Sequence, residues 1–236
     1  MNVAELKMAL RAAARPGDAE FLQRFFKTGR GEYGEGDVFI GVRVPVIRKL
    51  AAQGDALDSA QVLSLLQSQY HEERLLALVM LVRRFERGAA EERQQLFHLY
   101  LREVRWINNW DLVDVSAPNI VGAWLLDKPR DPLPALARSS GLWERRIAVV
   151  ATFAFIRKQQ YEDTLQLCEY LLGDRHDLIH KACGWMLREV GKRDLSPLTG
   201  FLDRHAARMP RTMLRYAIER LPTAQKQTYL GARSKS

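Results

Sequence analysis

The chain has 236 residues, 47% hydrophobic and 27% charged, enough to bury a substantial core. Its formal net charge of +8 favours a polyanionic partner, nucleic acid before anionic membrane. Cys168 and Cys183 are isolated, which argues against a disulfide framework or a cysteine zinc site, and no stretch approaches the ~18 apolar residues of a membrane span.

The N-terminal MNVAELKMALRAAARPGD sets charged and apolar residues at helical spacing and lacks the apolar core of a secretory signal. With the reduced cysteines, this points to a cytoplasmic protein. The glycine-rich stretch from Gly29 to Asp37 matches neither a P-loop nor a dinucleotide fingerprint and reads as a flexible loop. Val44 to Leu50 opens a helix with Pro45 in its first turn. Ser59 to Gln69 follows, with Val62, Leu65 and Leu66 on one side. Next come Leu75, Leu78, Val79 and Val82, then Glu91 to Val104, both with helical periodicity. Leu112, Val115, Val121 and Leu125 are less regular, whereas Ile147, Val150, Ala151, Ala154 and Phe155 restore the pattern. Asp163 to Leu172, the helix around Lys181, Leu195 to Ala206, and a last segment from Pro210 complete it. Breakers fall at Gly54, Gly88, Pro129, Pro132, Gly173 and Pro210.

Four polar residues that lead into apolar helices, Arg74, Trp110, Arg146 and Lys181, are spaced by 36, 36 and 35 residues. Such a period predicts an all-α solenoid of two-helix repeats, the second helix of each lining a concave, basic groove. No linker divides the chain, so residues 1–230 are expected to form one domain and 231–236 a frayed tail. In a regular stack Arg74, Trp110, Arg146 and Lys181 share one row, and Leu78, Asp114, Val150 and Trp185 the next.

Asn108-Asn109-Trp110-Asp111-Leu112-Val113-Asp114 departs most from plain scaffold. Trp110 and Asp114 are four residues apart, hence on one helix face. An indole beside a carboxylate suits a cationic, ring-bearing ligand; the plain alternative is a core tryptophan with a locally paired aspartate. Gly184, before Trp185, costs roughly 1 kcal/mol in a helix and admits either a neighbouring helix or a ligand. Arg43, Arg74, Arg145, Arg146, Lys181, Arg211 and Arg215 gather near second-helix starts. Cations are unfavourable to the helix there, which suggests an external anion such as phosphate; a solvated basic face is the alternative. His176 and His180 are not part of an HExxH motif, and no metal or cofactor is expected.

Five segments together resemble the AlkD-like DNA alkylation repair proteins, built from HEAT-like helical repeats. They are Arg24-Phe25-Phe26-Lys27, Phe39 to Pro45, Asn108 to Asp114, Trp143-Glu144-Arg145-Arg146, and His180 to Glu189. The resemblance implies a DNA glycosylase that excises cationic N3- and N7-alkylated purines from duplex DNA. It implies Asp114 as catalytic carboxylate, Trp110 and Trp185 as aromatic walls, and Arg146 as a phosphate contact. Phe25 stands where such enzymes can carry a tyrosine; the hydroxyl is lost and the aromatic surface stays. Phe25, Arg43, Arg74, Arg145, Lys181 and Arg215 are the further DNA-binding candidates.

An alkylated purine already carries positive charge and leaves without a general acid. What needs stabilising is the oxocarbenium-like sugar, which a fixed carboxylate achieves electrostatically. An open groove predicts limited base specificity and binding that salt weakens. The expected partner is double-stranded DNA carrying alkylated bases, with no membrane, a monomeric protein, and a nucleoid-associated location in a bacterium. A non-catalytic protein for distorted or branched DNA and a protein-interaction scaffold remain open.

Overall fold

The computed structural model describes residues 1–231 and is built from helices, as the 3.6-residue periodicity predicts; no strand forms among the described residues. The chain folds into two compact units, Met1–Ser116 and a second from Ala117 onward. Gly231 ends the last helix, and residues 232–236, within the expected tail, lie outside the described residues.

The first unit holds α1 (Val3–Ala12), α2 (Pro16–Phe25), α3 (Val44–Gln53), α4 (Ser59–Leu66), α5 (His71–Arg87), α6 (Ala90–Arg102) and α7 (Trp110–Ser116). Helix starts follow local chemistry. Asn2 with Glu5, and Asp58 with Gln61, form reciprocal capping boxes at α1 and α4. Pro16 and Pro45 occupy opening turns where a missing N–H costs nothing. The long α5 is the hub, touching α1, α3, α4, α6 and α7. Leu6, Leu10, Ile47, Leu65, Leu66, Leu76, Leu78 and Tyr100 fill the core around it, each fully buried or nearly so.

The stretch between α2 and α3 is less free than its glycines suggest. Gly29 to Gly36 folds into successive turns, and Val38 makes an isolated parallel bridge with Tyr70. The buried Glu72 carboxylate then accepts the backbone N–H groups of Ile40, Gly41 and Val42 at 2.8–3.1 Å. Gly41 has φ +87°, and a Cβ there would lie 2.2 Å from the Arg15 carbonyl oxygen. The sequence conceals this clamp because a carboxylate in the first turn of a helix ordinarily reads as a solvated dipole partner.

The second unit begins with a π-helical turn, Pro118–Gly122. It continues through α8 (Pro132–Ala137), α9 (Leu142–Ala151), α10 (Phe153–Ile156), α11 (Glu162–Tyr170), α12 (Asp177–Gly191), α13 (Leu195–His205), α14 (Arg211–Ala217) and α15 (Thr223–Gly231). Here α12 is the hub, packed on α9, α11, α13 and α14. A Cβ on Gly184 would lie 2.5 Å from both the Met213 carbonyl oxygen and Tyr216 Cβ. That glycine serves close helix packing, which decides between the two roles its sequence position allowed. Cys168 and Cys183 are buried, free thiols.

The repeat interval holds, but its phase shifts. Helices α5, α9 and α12 begin at His71, Leu142 and Asp177, so Arg74, Arg146 and Lys181 sit about a turn inside them. Helix α7 begins only at Trp110: a 3-10 turn, Val104–Trp106, and the residues through Asn109 replace what would be its first turn. The Asn-Asn pair therefore leaves Trp110 at a helix start, where an uninterrupted repeat would have put it about a turn inside.

Candidate active site

Helix α7 carries the central pair in the first unit. Trp110 and Asp114 are one turn apart and both half-buried. The Trp110 ring stacks on Phe26 at 4.9 Å and 20° and meets Phe25 edge-on at 5.9 Å. Phe25 is 52% exposed and stacks in turn on Phe21, also an exposed ring on α2. At the end of α7, Ser116 hydrogen-bonds the fully buried Tyr100 hydroxyl at 2.9 Å. Burial raises the Tyr100 phenol well above its ordinary pKa, and the negative charge of Asp114 adds to the effect.

Asp111, between the pair, belongs to a buried chain of alternating charges. Its Oδ2 lies 2.8 Å from His71 Nε2, and His71 Nδ1 lies 2.7 Å from Asp37 Oδ2. Arg74 donates to the other oxygen of Asp37 and, at 2.9 Å, to the Ser68 carbonyl. The Asn109 amide donates to Asp37 at 3.4 Å, while its own oxygen accepts the Trp110 backbone N–H at 2.9 Å. His71 also stacks on Phe39 at 4.2 Å and tilts against Phe26 at 5.3 Å. Burial alone would lower the His71 pKa; the charges and hydrogen bonds of Asp111 and Asp37 outweigh it and push it up to about 9. Burial likewise opposes ionisation of Asp37, but His71 and Arg74 hold its carboxyl below the usual value.

The cations divide by exposure. Arg74 is 2% exposed and engaged by Asp37 and Ser68, so it is an internal ion-pair partner and not the surface phosphate contact that its helical position suggested. Arg43 is exposed and grips Asp18 of α2 through two hydrogen bonds, at 2.8 and 3.1 Å. In the second unit Arg145 donates to Asp174 at 2.7 Å and to the carbonyls of Ser139, Ser140 and Gly141, holding the turn before α9. Arg146 is buried and donates to the Leu178 carbonyl at 2.7 Å. Lys181 is half-exposed and pairs with Asp177 one turn earlier, and Arg215 is exposed. Trp185, half-buried on α12, lies 5.9 Å from the Phe153 ring.

His71, Asp37, Glu72 and Phe26 escape a reading of the sequence alone. Their signal is weak: His71-Glu72-Glu73-Arg74 looks like a solvated helix start, yet all four are buried. Asp37 lies in a glycine-rich stretch with no motif to mark it.

Comparison with known proteins supplies the context. Two solved structures share the fold at low sequence identity. A predicted DNA alkylation repair enzyme from Enterococcus faecalis is 17% identical with a TM-score of 0.68, covering 89% of this chain and 97% of its own. AlkD2 from Streptococcus mutans is 16% identical with a TM-score of 0.54, covering 92% and 96%. No curated protein matches the chain. A family model described as "DNA alkylation repair enzyme" matches residues 6–221, nearly the whole chain. The chain therefore belongs to the DNA alkylation repair enzyme family.

Proposed function

We propose that the protein is a DNA glycosylase that releases cationic N3- and N7-alkylated purines from duplex DNA. The observation that carries this reading is the pairing on α7 of a half-buried indole and a carboxylate one turn apart. Family membership supports a DNA substrate and a role in alkylation repair.

In the proposed reaction the bond between C1′ and the purine nitrogen breaks, and its electron pair leaves with the base. That pair cancels the positive charge of the alkylated ring, so no general acid is needed. Positive charge moves onto the sugar, where the ionised Asp114 carboxylate stabilises it and orients the incoming water. The water oxygen bonds to C1′ and its proton passes to solvent. The indole face of Trp110 attracts the cationic sugar and base. In the second unit Trp185 is the further proposed aromatic contact. Arg43, Lys181 and Arg215, which retain exposure, are the proposed phosphate contacts; Arg146 is buried with its guanidinium on the Leu178 carbonyl and is not among them. Phe25 offers DNA an aromatic surface. The protein is proposed to work as a monomer without a cofactor.

Incubation with methylated duplex DNA, scored for free purine, tests the assignment. Asp114→Asn is expected to slow release about 100-fold, the scale of losing one transition-state electrostatic contact. Release unaffected by that change would remove Asp114 from the chemistry. Salt-sensitive duplex binding with no release would instead leave a binding protein for altered DNA.

A further inference from the structure

A neutral imidazole has one N–H and one lone pair, whereas an ionised carboxylate has only lone pairs to offer. His71 meets a carboxylate at each ring nitrogen, 2.7 Å from Asp37 and 2.8 Å from Asp111. A neutral ring would set one lone pair against an anion at a side chain that is itself 1% exposed. We propose that His71 is held as an imidazolium and is the positioning residue of the active site, fixing the first turn of α7 and with it Trp110 and Asp114. This rests on the reading of α7 as the catalytic helix.

Two routes lead from His71 to Trp110. The first is polar: His71 holds Asp111, the residue directly after Trp110, at 2.8 Å. The other oxygen of Asp111 takes no hydrogen bond from the described residues, so the imidazolium is its anchor. The second is aromatic: Phe26 stacks on Trp110 at 4.9 Å and leans against the His71 ring at 5.3 Å. A cation favours the ring faces of Phe26 and Phe39, which a neutral imidazole would exploit less.

The charges facing His71 come from three elements. Asp37 approaches from the segment before α3, Asp111 from α7, and Arg74 of α5 engages the far oxygen of Asp37. With an imidazolium the cluster holds two anions and two cations. With a neutral ring it would bury an uncompensated negative charge, which drives loss of the Asp111 contact. The His71 pKa of about 9 agrees with that geometry.

The test uses the full chain. Nitrogen-15 NMR of the histidine rings should show both His71 nitrogens protonated at about pH 7.5, losing one proton with a midpoint near 9. A 5-fluorotryptophan resonance for Trp110, assigned with Trp110→Phe, should shift with that same midpoint. A single neutral tautomer at neutral pH, or a Trp110 resonance flat through the His71 titration, would overturn the proposal. Neither reading depends on base release.

Purine release from methylated duplex DNA supplies the functional arm. Its rate should fall on an alkaline limb near the His71 midpoint. Asp111→Asn should move that limb to lower pH and slow release at least about tenfold, the rate equivalent of one charge-assisted hydrogen bond. Asp111 is preferred to His71 for substitution because its side chain is 18% exposed and a change there spares the core. An alkaline limb that Asp111→Asn leaves in place would also overturn the proposal. Absence of release at every pH would defeat the glycosylase reading, while the NMR results would still decide whether His71 positions α7.

Discussion

Trp110 in the first unit and Trp185 in the second are both half-buried, but they are held by different means. In the first unit Trp110 stands at a helix start secured by ion pairs through Asp111, His71, Asp37 and Arg74. In the second, Trp185 stands mid-helix beside Gly184, where α12 and α14 approach so closely that a Cβ would strike the Met213 carbonyl. Position in one case depends on charge and therefore on pH. In the other it depends on packing against backbone, which no titrating group at that contact mediates. A helix held by charge is tunable; one held by packing is fixed.

The sharpest way to break the packing half of that contrast is Gly184→Leu. The new side chain meets backbone, not the far end of a flexible neighbour. A loss of about 3 kcal/mol is expected in urea unfolding, and an unchanged midpoint would show that the helices can part freely.

Protonation tests the other half. The His71 pKa is raised from 6.5 to about 9, so its contribution to stability is complete below pH 6.5 and is lost as pH rises through about 9. The shift corresponds to something on the order of 3 kcal/mol. His176 and His205 in the second unit have lowered pKa values, chiefly from burial, so their contributions are present above pH 6.5 and lost as pH falls. Hydrogen exchange should therefore show α5 and α7 amides losing protection on alkalinisation while α12 amides keep theirs. Uniform loss in both units would erase the distinction.

Glu72→Ala probes the clamp beside the ion-pair chain. It strips three backbone N–H groups of their acceptor, and about 2 kcal/mol should be lost, read as a lower thermal midpoint. Arg43→Ala is expected to do least to folding, since its guanidinium is exposed and its bond to Asp18 is open to solvent. Its effect should appear in duplex binding, as a shallower salt dependence by about one phosphate contact. A salt slope equal to that of the unaltered chain would remove Arg43 from the interface.

The repeating helices were legible because burial imposes a 3.6-residue period on any helix with a packed face, and that period is written locally. Trp110 and Asp114 were legible as a pair for the same reason: four residues is one turn. The burial of Arg74 is not legible in the sequence, because a cation near a helix start carries no mark of its partner. That partner, Asp37, is 37 residues earlier in the chain. The role of His71 was hidden in the same way, since its two carboxylates come from residues 34 and 40 positions away.

What the amino-acid order determined by itself was the helical class, the repeat interval and the turn-related residues of α7, all consequences of short-range geometry. What only the tertiary structure decided was which charges are buried, which partner neutralises each, and that Gly184 serves packing. Those depend on distances between segments far apart in the chain, and a buried charge differs from a solvated one only by what the fold brings against it.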